Sequence, residues 1–302
     1  MPLIEVLTRF RYRKLFPENT ITAFQQAVIA GSTVIETDVH VSKDGVVVIC
    51  HDLQTGRTFD KDYNIKEVEY FPTLQALKCK SDPDEHMPTL KETLEWLNTT
   101  PTLIKLMLDI KGDNDAQSIG KIIISECKAV NPDISFWQDR IIFGLWDSSF
   151  YHKDVLDGFE VINITFSPAR ASKFLKDVDE KGGSIQALSM MYLVCYQPFL
   201  KSQMLALVKK YNLKLYFWTV NSPLDMSALT DTLDPSICEG FVSDDPKAVS
   251  QFLSGEHKPP VTLVRLLRNF ALSSVLWGVI TLIGWGYNAR PILVKLQRRG
   301  WI

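Results

Sequence analysis

The chain has 302 residues, 46% of them apolar and 23% charged, which excludes a disordered chain and allows one large catalytic domain or two small ones. A formal net charge of −2 gives no whole-protein reason to expect nucleic acid as a partner. The five cysteines are scattered without a CxxC pair, which argues against a disulfide framework or a zinc site and favours a reducing compartment.

Short apolar runs alternate with amphipathic, helix-like segments from Leu3 to about Ser254. Most runs are continuously apolar, which is typical of strands that crossover helices cover on both faces. Thr89 with Glu92 reads as a capping box at one helix start, and Ser222-Pro223 offers an N-cap before proline at another. This alternation predicts an α/β fold, either a TIM-type (β/α)₈ barrel or a doubly wound sheet. The predicted strands are 3–7, 34–39, 46–50, 105–110, 141–145, 161–165, 185–189, 213–219 and 240–243.

Two of the predicted strands, 34–39 and 46–50, lie too close together for a helix between them. The connection contains Asp44-Gly45, a pair typical of tight hairpin turns, so a local antiparallel pair is one interpretation. The alternative is that one of the two is a barrel strand and the other an irregular neighbour.

The carboxyl-terminal region differs from the rest, since no acidic residue follows Lys258. Residues 270–287 are 18 in number and uncharged, and as a helix they would span roughly 27 Å at about 1.5 Å per residue. We expect a barrel over 1–257, a basic linker over 258–269, a transmembrane or membrane-anchoring hydrophobic helix over 270–287 and a basic tail over 288–302. A helix buried against the barrel is the alternative.

Two further observations concern how the chain is placed relative to a membrane. The first residues show no small-residue cleavage site, so a secretory signal is not expected. Basic residues flank the apolar segment on both sides, so charge does not decide its orientation. Because there is no secretory signal and the cysteines are expected to be free, a membrane-associated protein whose catalytic domain faces the cytosol is the simplest arrangement.

Four polar residues near the two neighbouring strands carry the chemistry. Glu36 and Asp38 are two positions apart on a strand, so both point to one face, where two carboxylates repel each other unless a cation lies between them. Oxygen ligands favour Mg²⁺ or Ca²⁺, although such a pair also occurs on solvent-facing strands. His51-Asp52 directly follows a strand, at the end where barrel enzymes place catalytic groups. Cys50 beside it alternates to the opposite face and is expected to be a buried structural cysteine.

Together these residues resemble the glycerophosphodiester phosphodiesterase family, and the resemblance runs over nearly the whole barrel. Eight short motifs occur in the family's order, at 17–20 (PENT), 36–38, 43–45, 51–52, 88–90, 109–111, 218–221 and 240–244. Three further segments, 55–57, 105–111 and 136–146, together with the apolar tail, look closest to fungal phosphatidylglycerol-type phospholipase C enzymes.

The resemblance implies a metal-dependent phosphoric diester hydrolase acting on glycerophospholipids or glycerophosphodiesters, and specifically phosphatidylglycerol cleaved in phospholipase C fashion. His51 would be one of two general acid/base histidines, Lys111 would contact the phosphate, and Trp218 would line the substrate pocket. The family's attack on phosphorus comes from a neighbouring glycerol hydroxyl, with a cation neutralising the phosphate charge. That divalent cation, Mg²⁺ or Ca²⁺, would be bound by Glu36, Asp38 and Asp109, the last being Asp where the family has Glu.

One position departs from the family pattern. The first strand of the family ends in Gly-His-Arg, and the histidine's place is taken here by Arg9, eight residues before Pro17. Arginine accepts no proton near neutral pH, because its pKa exceeds about 12. Three explanations compete: residues 1–13 come from a wrongly joined exon, the protein is a catalytically impaired relative that binds lipid headgroups, or an enzyme works with one histidine at a loss of about 10²–10⁴ in rate. The first is favoured because the other site residues are all present.

Overall fold

The computed structural model describes the backbone of residues 5–9 and 16–282 and the side chains of residues 16–278. Within this part of the chain nine strands form one sheet. They are β1 (Glu5–Arg9), β2 (Val34–Val41), β3 (Val47–Ile49), β4 (Lys105–Ile110), β5 (Ile141–Leu145), β6 (Glu160–Thr165), β7 (Ala187–Met191), β8 (Lys214–Trp218) and β9 (Cys238–Ser243).

The sheet closes into a barrel because β1 pairs in parallel with both β9 and β2. From β2 the ring continues through β4, β5, β6, β7 and β8 back to β9, with parallel pairing throughout. Strand β3 stands outside the ring and pairs antiparallel with β2. The predicted TIM-type barrel is therefore confirmed at the level of the fold, and so is the hairpin interpretation of β2 and β3.

Helices cover the barrel. Two predicted helix starts are confirmed: the capping box between Thr89 and Glu92 forms, and a helix begins at Pro223, although the Ser222 side chain makes no capping hydrogen bond. The helices are α1 (Ile21–Ile29), α2 (Leu90–Thr99), α3 (Ile119–Val130), α4 (Ile134–Gln138), α5 (Lys153–Leu156), α6 (Pro168–Glu180), α7 (Pro198–Tyr211), α8 (Pro223–Thr232), α9 (Pro246–Leu253) and α10 (Leu263–Leu282).

Strand alternation divides the core into two layers. Outward-facing residues such as Leu106 and Phe143 pack between the strands and the helices, whereas Met107 and Ile142 fill the inside of the barrel. Burying each such side chain stabilises the fold by about 1.5–3 kcal/mol. On β2 the inward-facing residues change from apolar to acidic toward the carboxyl end of the strand, and this change marks the edge where polar chemistry is concentrated.

The hydrophobic helix at the carboxyl-terminal end, α10, begins at Leu263, within the stretch predicted to be a linker. It packs on the Tyr192–Tyr196 turn that follows β7, and Leu276 is 2% exposed. In the described part of the chain, no helix combines the length and apolar character needed to cross a bilayer. Residues 283–287 of the predicted membrane segment, and the predicted tail 288–302, lie outside the described residues.

Candidate active site

Three buried carboxylates meet at the carboxyl end of neighbouring strands. The parallel register of β2 and β4 sets Asp38 beside Asp109, and Glu36 faces the same side two residues earlier. One carboxylate oxygen from each of the three lies within 4.8 Å of the others. The donor set consists of oxygens alone, which fits a hard divalent cation such as Mg²⁺ or Ca²⁺.

Lys111 lies within this carboxylate cluster. It follows Asp109 by two residues and therefore shares its inward face, and its Nζ is 2.6 Å from Asp109 Oδ2. The same ammonium also forms an ion pair with Asp38. Lys111 is 3% exposed, so water screens its charge only weakly. Its ammonium therefore offsets part of the repulsion between the carboxylates. The residue expected to contact phosphate thus lies among the three carboxylates predicted to bind the cation.

The loop 17–20 contacts the carboxyl end of β2, where the cluster lies. Asn19 adopts a left-handed backbone conformation, with φ of 59°, which asparagine tolerates better than most residues. Its Oδ1 accepts a hydrogen bond from the Thr37 hydroxyl at 2.8 Å, and its amide nitrogen is 3.5 Å from an Asp38 oxygen. Thr20 caps α1 by accepting from the Ala23 amide at 3.2 Å. The loop therefore ties the start of α1 to the acidic end of β2.

His51 lies next to the cluster because the β2–β3 hairpin carries it there. The backbone N–H of Cys50 donates to the carbonyl of Asp38 at 3.1 Å. The His51 side chain is 19% exposed, and its Nδ1 lies 2.8 Å from Asp52 Oδ1. Cys50 itself is buried, and burial raises the pKa of its thiol far above the usual range. The thiol stays protonated, in agreement with the structural role predicted for it.

Two tryptophans form the wall beside the cluster. Trp218 ends β8, donates its indole N–H to the Ser189 carbonyl at 2.9 Å, and packs edge-on against Trp146 with ring centroids 5.8 Å apart. Trp146 directly follows β5 and donates to Asp109 Oδ1 at 2.7 Å. Trp218 thus lies beside the carboxylate cluster, and its role in lining a substrate pocket stays a prediction. Trp146 was not singled out in the sequence analysis, although it directly follows an apolar strand and ends the segment 136–146.

Arg9 stands at the carboxyl end of β1, where the pairing with β2 sets it opposite Glu36. Its backbone therefore reaches the level of the acidic cluster. The residues that follow it, 10–15, lie outside the described residues. The position at which the family resemblance places a histidine is thus occupied by arginine in a regular barrel strand.

Comparison with known proteins decides the family. The sequence model of the "Glycerophosphoryl diester phosphodiesterase family" matches residues 12–248. The chain belongs to this family. The matched segment contains every site residue predicted from the sequence, whereas β1 precedes it.

The individual relatives match this chain either over part of its length or at low sequence identity. The chain is 32% identical over 119 residues to lysophospholipase D GDPD1 of Rattus norvegicus, covering 35% of this chain and 36% of that protein. It is 26% identical over 248 residues to the glycerophosphodiester phosphodiesterase of Caldanaerobacter subterraneus subsp. tengcongensis, covering 78% and 92%. The match to the rat enzyme thus spans about a third of its length.

A solved structure supports the fold. The Oleispira antarctica phosphodiesterase, in complex with its product sn-glycerol-3-phosphate, superposes with a TM-score of 0.65 at 20% identity. The superposition covers 83% of this chain and 97% of that one.

Proposed function

We propose that this protein is a divalent-cation-dependent phosphodiesterase that hydrolyses glycerophosphodiesters or glycerophospholipids. The observation that carries the proposal is the convergence of Glu36, Asp38 and Asp109 within 4.8 Å at the barrel edge that also carries His51. Membership of the family supports the same reaction class.

Each residue of the site has its own role in the proposed reaction. A divalent cation bound by the three carboxylates would neutralise charge on the phosphate oxygens. Lys111 adds a second positive charge at the same place, toward a phosphate oxygen. His51 exchanges the proton that the attacking hydroxyl loses or the leaving oxygen gains. Trp146 and Trp218 exclude water from one side and offer a flat apolar surface to the glycerol or its substituent.

The specific substrate we propose is phosphatidylglycerol, cleaved by water to diacylglycerol and glycerol phosphate. Helix α10 supports a lipid substrate, since its outward side chains Leu263, Val264 and Leu267 are more than half exposed. The basic residues that follow Lys258 would attract an anionic lipid surface by about 1 kcal/mol each when close to it. The corresponding location is a membrane surface, with the barrel on the cytosolic side.

The test uses the purified full chain with Mg²⁺ or Ca²⁺ and two substrates, glycerophosphoglycerol in solution and phosphatidylglycerol in vesicles. Phosphorus NMR identifies the phosphate product, and extraction identifies diacylglycerol. Glycerol phosphate from both substrates, lost in Glu36→Gln but kept in the surface variant Asp84→Asn, supports the proposal. Turnover of the soluble diester alone would refute the lipid substrate, and turnover of neither would refute the activity.

A second candidate function follows from Arg9. A chain with arginine beside Glu36 in β1 would bind a phosphate headgroup without turning it over. It predicts phosphatidylglycerol binding that His51→Ala leaves unchanged, with no product at any enzyme concentration. The two candidates are separated by the same phosphorus NMR assay.

A further inference from the structure

Four charged or polar side chains form a continuous line that ends at His51. The imidazole Nδ1 is 2.8 Å from one oxygen of Asp52. The other oxygen of Asp52 accepts a hydrogen bond from Arg57 Nε. The two terminal nitrogens of the same guanidinium bind the two oxygens of Glu18, one of them at 2.8 Å.

We propose that Asp52, Arg57 and Glu18 are positioning residues that fix the tautomer and the orientation of the His51 imidazole. The inference rests on the proposed function, in which His51 exchanges the proton. None of the three acts on the substrate; each acts through its neighbour.

The tautomer follows from the hydrogen-bonding capacity of the partners. An ionised carboxylate only accepts hydrogen bonds, so the neutral imidazole must carry its hydrogen on Nδ1 when this nitrogen faces Asp52. Nε2 then keeps its lone pair and can take a proton. Burial alone would raise the pKa of Asp52, but the hydrogen bond from His51, together with the positive charge and the hydrogen bond of Arg57, holds it well below its usual range. The carboxylate therefore stays ionised at neutral pH.

The orientation follows from the guanidinium. Arg57 uses three nitrogens in one plane, so Asp52 and Glu18 are held at a fixed distance and angle from each other. Lysine could supply the charge but not this geometry. Asp52 cannot rotate away from His51 without giving up its bond to Arg57.

Glu18 connects the line to the rest of the site. It is 7% exposed and belongs to the loop 17–20, whose next residue, Asn19, contacts Thr37 and Asp38. The loop therefore supports the carboxylate cluster with Asn19 and the histidine with Glu18. One loop thus connects the proposed proton-exchanging group with the proposed cation site through hydrogen bonds, and holding such groups in a fixed arrangement favours reaction.

The test measures the tautomer directly. The full chain is labelled with ¹⁵N-histidine, His51 is assigned with His51→Gln, and long-range proton–nitrogen spectra are recorded without substrate. We expect hydrogen on Nδ1 in the wild type and in the surface controls Asp84→Asn and Arg170→Lys. Asp52→Asn, whose amide can donate to Nδ1, should show a mixed or reversed tautomer. Wild-type hydrogen on Nε2, or an unchanged Asp52→Asn spectrum, would overturn the assignment.

Kinetics test the outer residues. Arg57→Lys and Glu18→Gln should lower kcat by about 10-fold or more while KM changes less than about threefold, and Asp52→Asn should lower kcat by about 10²–10⁴-fold. Added methylguanidinium should partly restore kcat in Arg57→Ala. A lower kcat accompanied by a higher KM and a lower melting temperature, without rescue, would mean that Arg57 only stabilises the fold.

The two readouts separate this inference from the proposed function. The tautomer needs no substrate, so a chain without turnover still confirms or refutes the role of Asp52. If the wild type is inactive while the tautomer changes as expected, the positioning holds and the activity assignment fails.

Discussion

A divalent cation should stabilise the intact chain against heat, and Glu36→Gln should remove most of this gain. Glu36, Asp38 and Asp109 bring three carboxylates within 4.8 Å of one another at no more than 4% exposure. Lys111 offsets part of their repulsion. A bound cation adds two charges of the opposite sign at the centre of the group, which the unfolded chain cannot assemble.

The size of the effect follows from ligand linkage. At a free cation concentration 100 times the Kd, binding to the folded state alone stabilises it by about 2.7 kcal/mol. For a barrel of this size each kcal/mol raises the Tm by about 2–4 °C, so we expect a rise of about 5–11 °C. Glu36→Gln removes one ligand and one charge and should reduce the rise to less than about 3 °C.

The assay is calorimetric melting in EDTA, Mg²⁺ and Ca²⁺ at constant ionic strength, with Asp84→Asn as the exposed-carboxylate control. An equal rise in Glu36→Gln and in the control would show that the cation binds elsewhere. No rise in the wild type at millimolar cation would refute a cation site at these carboxylates.

Three further predictions concern other parts of the chain. Burial raises the pKa of Glu126 to about 7, and its Oε2 has no hydrogen-bond partner among the described residues. Because the pKa of Glu126 is higher in the folded than in the unfolded chain, the free energy of unfolding should fall as pH rises from about 4.5 to 7. In urea titrations, Glu126→Gln should therefore raise the free energy of unfolding by about 1–3 kcal/mol over wild type at pH 8 and match wild type at pH 4. Arg9→His combined with Phe10→Arg should raise kcat at least about 10²-fold in the phosphorus NMR assay, and an unchanged rate would mean that β1 is not at fault. Asp225 is 2% exposed and accepts hydrogen bonds from Arg265 and Asn269 of α10. Asp225→Ala should therefore destabilise the packing of α10 on the barrel by about 3–5 kcal/mol and speed amide hydrogen exchange in residues 263–278. Unchanged exchange would show that other contacts hold α10 in place.

The sequence predicted the barrel strands well where apolar runs end in polar residues. Strands β4 and β5 have the predicted bounds, since Lys105 and Arg140 mark their beginnings. Strand β7 lies two residues later than predicted, because Ile185 and Gln186 precede the paired segment and the apolar run continues through Met191. Periodicity fixes which face a residue occupies but gives only a weak indication of where pairing starts.

The family resemblance groups Glu36, Asp38 and Asp109, but spacing in the sequence alone does not predict that all three converge. Glu36 and Asp38 could be paired from their spacing, but the position of Asp109 beside Asp38 depends on the register of β2 with β4. The line from Glu18 to His51 depends on a guanidinium that bridges two loops. Neither the register of β2 with β4 nor the bridge made by Arg57 can be predicted from local sequence.

Helix α10 makes a contact that the sequence analysis left open as the alternative to a membrane helix. The uncharged segment 270–287 favoured a membrane helix, yet Asn269, Ser273 and Leu276 form a buried stripe at spacings of four and three residues. Ser273 donates to the Leu193 carbonyl at 2.9 Å in the Tyr192–Tyr196 turn. A buried face built from small and polar residues is not visible in a hydropathy pattern.

The hydrogen-bond register of the β2–β3 hairpin sets the position of His51 relative to the acidic residues of β2. Its ladder pairs Val39 with Ile49, and the turn closes at Gly45, whose φ of 84° suits glycine. A slip of one residue in this ladder would send His51 to the opposite side of the strand and Cys50 toward the acids. The register of the hairpin therefore sets the position of the proposed proton-exchanging histidine relative to the proposed cation site. A change in the length of the turn is expected to abolish activity in a barrel that still folds.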